Sequence, residues 1–485
     1  MTGNSNSLGG LVGFAGNGAS NNYRPIQINN CSASCSVNVV SESFVRYISG
    51  LIGYLYTRSG ATVQNCFVTG NVSAPNGAEC IGGLIGYADN AGNTYTTASA
   101  MTVHDCYATG NVSTGDSTSS ASTGGLMGQI YSGSNTTITA QVYNCYATGD
   151  VVGHWSTGGL IGTVSGQGNN VTTTVRYVYA TGSVTGGDAS ATEGMGGIGG
   201  VVGYYRGNNT NAVFNLQYSV ALNSFVVTQT ISIPGTINRV LGSYSGTVYL
   251  TNYAYSGMLV GIIDGPPVTK TSTMTNSSNG KDISIDDINT ATKWSGTYFT
   301  SATGWSYSNG KLPKLTVTNV SAQQPIPSYL QKYCDVSGSV SGLADNSGIT
   351  VNYSGSISGS VTTSTGGSYT IADVPYYESI SISVENVQYY TTPVTIIINE
   401  VIADTANQNF AYTPSYSITL SNVSTSAIKN GLGVGTIRFI TRINGLSVDT
   451  PTVKKYGTYV VPLSVFTEGQ YNNTADVFYD NSEGL

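Results

Sequence analysis

A five-residue motif recurs through the N-terminal part of this chain: two glycines, a leucine, an aliphatic residue and a further glycine. It stands at residues 9–13, 82–86, 124–128 and 158–162, with variants at 49–53 and 199–203. The residue after the double glycine falls at Leu11, Leu51, Leu84, Leu126, Leu160 and Val201, in steps of 40, 33, 42, 34 and 41. A second motif follows most copies: NCFVTGNV at 65–72, DCYATGNV at 105–112, NCYATGDV at 144–151 and YVYATGSV at 177–184, with a degenerate NCSASCSV at 30–37. Self-similarity at such a period marks a repeat architecture and constrains the fold before any other feature is read. Length varies in the Ser, Thr, Asn and Gly stretches between motifs, where loops belong. A segment such as Leu84-Ile85-Gly86-Tyr87 buries no face alone. Stacked copies bury a continuous core and pair their backbones from rung to rung. The expected fold class is all-β: a parallel β-helix, or β-solenoid, over residues 1–319, closed by a terminal cap segment. One or two coils per repeat both fit the spacing.

The repeat assigns structural positions. Gly83, Gly86, Gly125, Gly128, Gly159 and Gly162 are expected where a Cβ would clash. Leu84, Leu126 and Leu160 are expected in the core. Cys66, Cys106 and Cys145, with Cys31, share one position that Val178 occupies in the next copy, as expected of small buried side chains rather than a metal or redox ladder. Neighbours one rung apart lie about 4.8 Å from each other, so a disulfide within a pair is conceivable. The seven cysteines are an odd number and cannot all pair within one chain.

These repeats resemble the GLUG-motif repeats of bacterial surface adhesins. The resemblance is strong over about 1–220 and fades toward Trp294, Phe299 and the stretch WSYSNGKLPKL at 305–315, which is similar to the terminal segment of such arrays. It implies a parallel β-helix and a role in adhesion. Residues 320–332, rich in Gln and Pro, read as a linker. Alternating strands with regular turn residues then run through 336–340, 348–353, 366–371, 380–384 and 403–410, the pattern of a small β-sandwich over 333–412. That segment resembles the prealbumin-like modules called carboxypeptidase regulatory-like or Cna-B-type. It has no lysine, so the Lys–Asn crosslink of some Cna-type modules is excluded. Strand patterns at 416–420, 435–442, 459–466 and 476–479 predict a second sandwich-like domain over 413–485.

Composition narrows the function class. Charged residues are only 8% of the chain, which leaves hydroxyls and amides to solvate it, while 40% hydrophobic content rich in Val, Ile and Tyr argues against disorder. The net charge of −7 and the lack of a basic cluster beyond Lys454 and Lys455 argue against nucleic acid as a partner. The excess negative charge sits in 333–412, with seven acidic residues and no Lys or Arg. No long apolar run predicts a membrane-spanning helix.

Chemistry yields mostly negatives. No catalytic residue, cofactor site or metal site is expected, and the chain is read as not an enzyme. A polysaccharide-active β-helix needs clustered carboxylates. The nearest group, Asp282, Asp286 and Asp287, reads as a solvated loop or cap strand. His104 and His154 lack partners at ligand spacing. The glycine run at 194–200 precedes no helix and reads as repeat turns, not a nucleotide loop. Thr-rich stretches at 94–97 and 171–175 read as variable loops. Sequons at Asn71, Asn111, Asn135, Asn170, Asn208, Asn276, Asn319, Asn352, Asn422 and Asn472 are candidate glycosylation sites if the chain is a glycoprotein. The expected function is a secreted or cell-surface structural and adhesion protein whose stalk presents loops to a host or neighbouring-cell ligand, protein or glycan. The alternative is a subunit of a self-assembling filament or surface layer, because the repeats begin at Gly9 without a polar cap.

Overall fold

The computed structural model describes residues 6–17, 24–40, 45–91, 98–115, 121–133, 137–188, 196–207, 211–230, 236–263, 265–266, 268–317, 323–385, 389–414, 419–429 and 435–444. The chain divides into two compact units, Met1–Lys332 and Tyr333–Leu485.

In the first unit each repeat adds one strand to each of four stacked sheets, always in the same order. The first sheet holds the glycine motif, with strands such as Ile81–Gly82, Ser122–Gly124 and Ser156–Gly158. The second follows directly, with Ile52–Thr57, Ile85–Asn90, Met127–Ser132, Ile161–Gly166 and Val202–Gly207. The third carries the long strands Ala98–Ala108, Thr137–Ala147 and Asn170–Ala180. The fourth takes Val72–Ala74, Val112–Thr114 and Val151–Val152. Pairing between repeats is parallel and in register, so Cys106 lies opposite Cys145 and Tyr107 opposite Tyr146. The chain is all-β with large stacked parallel sheets, and among the described residues helix is confined to short turns at Ile285–Ile288, Ala291–Lys293, Trp294–Tyr298 and Ser328–Leu330.

Equivalent residues of successive repeats face the same core. Leu51, Leu84, Leu126 and Leu160 are fully buried with Cys66, Cys106, Cys145 and Val178. The cysteines are free thiols. The Cys106 and Cys145 Sγ atoms donate to the carbonyls of His104 and Tyr143 at 3.0 and 3.1 Å, and burial pushes the Cys106 thiol well up. The residue before this position has a positive φ in the first six copies: Asn30, Asn65, Asp105, Asn144, Tyr177 and Tyr218. Asn and Asp tolerate that left-handed conformation better than other residues with a Cβ. The kink shifts the alternation, so that Val142 and then Cys145 and Ala147 point into the same core.

The second motif glycine is required by close approach. A Cβ on Gly83 would lie 2.2 Å from the Gly125 carbonyl oxygen, and one on Gly125 2.3 Å from that of Gly159. A seventh copy, at 238–242, escaped the sequence pattern because Arg239 stands where the others have this glycine. It pairs in register with the sixth. Its side chain is fully buried and closes the stack, donating to the carbonyls of Asn279, Tyr255 and Gly280 and to Asp282 Oδ1.

The segment expected as a terminal cap divides in two. Residues around 275–283 cover the last repeat, where Ser278 O accepts from the amides of Val240 and Leu241 and Lys281–Ile283 joins the third sheet. Trp294, Tyr298, Phe299, Trp305, Leu312 and Leu315 fold back along the third sheet instead and bury an aromatic stack. Tyr107, Tyr146 and Tyr179 lie at centroid spacings of 4.8 and 4.9 Å with planes within 3° and 2°. The expected linker is corrected likewise. In the described residues 323–332, Leu330 is fully buried against this layer and the Tyr329 hydroxyl donates to the Thr181 and Leu222 carbonyls, because Ile326, Tyr329 and Leu330 supply an apolar side that a free linker would lack. The Thr-rich stretch at 171–175 is also not a loop. It lies inside strand Asn170–Ala180, with Thr173 buried and Thr172 exposed.

The second unit builds two four-stranded sheets. One has the order Ser368–Pro375, Tyr333–Ser341, Phe410–Pro414, Tyr389–Thr392; the other Gly359–Thr362, Thr350–Gly355, Ile380–Val384, Thr395–Ile398. Val336, Val351, Ile371, Ile382 and Phe410 share one core. Beyond it, Thr419–Lys429 and Gly435–Asn444 pair as an antiparallel hairpin. The strand patterns at 459–466 and 476–479 lie outside the described residues.

Candidate functional site: an aromatic strip and cleft on the second sheet

Strand alternation turns one set of second-sheet side chains outward. The first outward position directly follows the last glycine of the motif, giving Phe14, Tyr54, Tyr87, Gln129, Thr163, Tyr204 and Ser243 in successive repeats. Two residues on stand Tyr56, Asp89, Tyr131, Ser165, Arg206 and Ser245. The rings form a strip along the sheet. Centroids are 5.1 Å apart for Phe14 and Tyr54, 5.3 Å for Tyr54 and Tyr87 and 6.4 Å for Tyr87 and Tyr131, with Tyr47 at 4.7 Å from both Tyr54 and Tyr87. These rings are half-buried, and Phe14 is exposed.

The strip is interrupted at Gln129, Thr163 and Ser165. The shorter side chains leave a cleft of about 260 Å³ between Tyr87 and Tyr131 on one side and Tyr204 and Arg206 on the other. Its floor is fixed by hydrogen bonds. Ser122 Oγ and Thr163 Oγ1 are 2.7 Å apart, Gln167 Nε2 donates to Ser165 Oγ at 2.9 Å, and Tyr204 Oη lies 3.1 Å from Ser245 Oγ. Cys80 Sγ donates to Gln129 Oε1 at 3.1 Å, which turns the carboxamide nitrogen to other use. Among the described residues, the Tyr87 and Tyr131 hydroxyls and Gln129 Nε2 have no hydrogen-bond partner.

Asp89 stands within the strip, beside the Tyr54 and Tyr87 rings. Its Oδ2 accepts from the Tyr54 hydroxyl at 3.1 Å. Burial raises its carboxyl to about 6, against the opposing pull of the Tyr54 bond and Arg58. The Tyr54 and Tyr87 hydroxyls are pushed well up, by burial first and by Asp89 next. The Tyr54 and Tyr87 hydroxyls are therefore uncharged at neutral pH.

The sequence-assigned positions fall elsewhere. Gly83, Leu84, Gly86, Gly125, Leu126, Gly128, Gly159, Leu160, Gly162 and the cysteines build the scaffold beneath. The sequons do not converge. Asn71 and Asn111 are exposed, yet their side chains serve the stack: Asn71 Oδ1 accepts from the Asn111 amide and Asn111 Oδ1 from the Asp150 amide, both at 2.9 Å. Asn170 and Asn276 are exposed and Asn352 is half-buried. Asn135, Asn208, Asn319 and Asn472 lie outside the described residues, and only the backbone of Asn422 lies within them. The three acids near 282–287 separate: Asp282 pairs with Arg239, Asp287 with Lys293 and Asp286 with Lys332. His104 Nδ1 lies 2.7 Å from Asp105 Oδ2, and its ring stacks on Tyr143. His154 sits beside Trp155. The cleft residues escaped the sequence reading because they occupy a position outside both motifs. The usable signal was aromatic enrichment directly after the motif's last glycine.

No family model matches the chain, and no curated protein matches it. Among solved structures, a crystal structure of a candidate immunoglobulin A1 protease from Bacteroides ovatus aligns with a TM-score of 0.39 at 18% identity, over 57% of this chain and 77% of that one. A likeness of that degree assigns neither fold nor activity.

Proposed function

We propose that this protein is an extracellular structural and adhesion protein. Its repeats form a β-solenoid stalk of one coil per repeat, like the GLUG-motif repeats they resemble, and residues 333–412 form a prealbumin-like β-sandwich spacer. The observation that supports this most is the unequal treatment of the two aromatic ladders. The third-sheet ladder is buried by residues 294–317 and 323–330. The second-sheet ladder is covered by no described segment, and it ends in a polar cleft. Rigid, half-exposed tyrosines offer contact area with a polar tip at low entropic cost, which suits a recognition surface. The test is attachment: beads coated with the full chain should adhere to cells or mucin more than albumin-coated beads do, and equal adhesion would overturn the reading.

A second reading, a subunit of an extracellular filament, is favoured by Leu11. It is 54% exposed although its equivalents Leu51, Leu84, Leu126 and Leu160 are fully buried. A further rung, from the same chain or another copy, would cover it. Negative-stain electron microscopy over a range of concentrations separates the readings: regular filaments make assembly the function, and separate short rods remove it.

A further inference from the structure

We propose that the second-sheet cleft is a carbohydrate-binding site. It takes one or two sugar rings between Tyr87 and Tyr204, and Phe14, Tyr54 and Tyr87 form a stacking track for the units beyond. The inference rests on the adhesion reading and names its ligand class and site.

Four observations carry it. First, the interruption of the ladder is specific. On the third sheet Phe67, Tyr107, Tyr146 and Tyr179 stack on consecutive rungs and Val220 takes the next place, where the covering layer packs against it and fills the gap. On the second sheet Gln129, Thr163 and Ser165 replace rings in the middle and leave a cavity. Second, the lining is of one chemical kind. It offers tyrosine rings, hydroxyls, carboxamides and one guanidinium, Arg206, with no carboxylate and no lysine. Rings stack on the apolar faces of sugars, while hydroxyls and amides exchange hydrogen bonds with their hydroxyls. A phosphate ligand would need several cations or a row of free amides. Third, donors are waiting: Gln129 Nε2 and the Tyr87 and Tyr131 hydroxyls lack partners among the described residues, and Cys80 holds the Gln129 carboxamide in place. Fourth, a peptide strand has no edge to join. Ile85–Asn90, Met127–Ser132 and Ile161–Gly166 are each paired on both sides, which removes strand addition as a mode of binding. At about 260 Å³ the cleft is smaller than the roughly 300–1,000 Å³ of pockets that enclose drug-sized ligands, and so seats a ring or two rather than a whole oligosaccharide. From the Tyr87 rung to the Tyr204 rung is three steps, about 14 Å, a span suited to a short stretch of glycan.

The test is calorimetric titration of the full chain with cellotetraose, chitotetraose, β-1,4-mannotetraose and 3′-sialyllactose, each to 10 mM. At least one is expected to bind with a millimolar or tighter Kd. Two substitutions should each weaken it by about tenfold or more: Tyr87→Ala, which removes a wall, and Gln129→Tyr, which continues the ladder and fills the cleft. Thr163→Tyr fills the same cleft from the next rung and serves if either variant fails to fold, as judged by thermal unfolding. Binding by none of the four sugars, or undiminished affinity in folded Gln129→Tyr and Thr163→Tyr, overturns the proposal. Bead adhesion reports on the adhesion reading separately: beads that adhere while no sugar binds defeat the cleft and leave adhesion standing.

Discussion

Two buried charged residues show how position in the stack sets what a side chain does. Arg239 occupies a position that elsewhere admits only glycine. In the inner repeats the next rung's carbonyl stands about where a Cβ would go. In the last repeat that rung is missing, and the freed space holds a guanidinium that donates to the Asn279 and Gly280 carbonyls of the covering segment. Arg239→Met should lower stability by on the order of 3 kcal/mol by leaving those carbonyls and Asp282 unsatisfied, read as a reduced denaturant midpoint. Asp89 works in the opposite direction. Its folded-state carboxyl is raised to about 6 from 3.8 by burial. The folded protein therefore holds a proton that the unfolded chain releases between those values. Its contribution is most favourable below about pH 4 and is lost as pH rises through about 6. Asp89→Asn keeps the acceptor for Tyr54 and should flatten the stability–pH curve in that window. It should raise stability at pH 7 by on the order of 2 kcal/mol. An unchanged curve would show that water reaches Asp89.

At the scale of the element, the stack depends on contacts repeated at each rung. Gly125→Ala would drive a Cβ into the Gly159 carbonyl and against Ala147. Neither can retreat without opening the sheet, so a loss of about 3 kcal/mol or more is expected from chemical unfolding. The back-folded layer hangs on fewer anchors. Trp305 packs on Tyr146, Tyr179 and Phe299, and its indole nitrogen donates to Asn144 Oδ1 at 3.0 Å. Trp305→Ala should loosen this layer while the parallel sheets persist. Trypsin should then cut at Lys311 and Lys314 faster, with little change in the far-ultraviolet circular dichroism spectrum. Equal cutting of the two proteins would place the anchor elsewhere.

For the molecule as a whole, stability is a sum of rung-to-rung interfaces. The middle repeats have two such interfaces each. Among the described residues, the first repeat has one, and its Leu11 and Phe14 are exposed. Hydrogen exchange should therefore be fastest in Val12–Gly16 and slowest in strands such as Met127–Ser132 and Ile161–Gly166. Uniform protection along the stack would mean that the first rung is covered in solution, which favours the filament reading.

The sequence by itself determined the parts that depend on local chemistry and on recurrence. Its spacing marked the repeats, its motif glycines marked where backbones approach, and its recurring Cys position marked a small side chain in the core. These were legible because each copy restates the same local requirement. Tertiary structure alone decided the rest. Arg239 hid the last repeat because it departs from the motif where stacking stops, a condition no single copy encodes. The segment at 294–332 read as cap and linker because its partner, the tyrosine stack, is assembled from three repeats far away in sequence. The cleft was hidden for the same reason. Tyr87, Gln129, Thr163 and Tyr204 come from four repeats, each at a position that the repeat leaves free to vary, and only the parallel register brings them to neighbouring rungs on one exposed face.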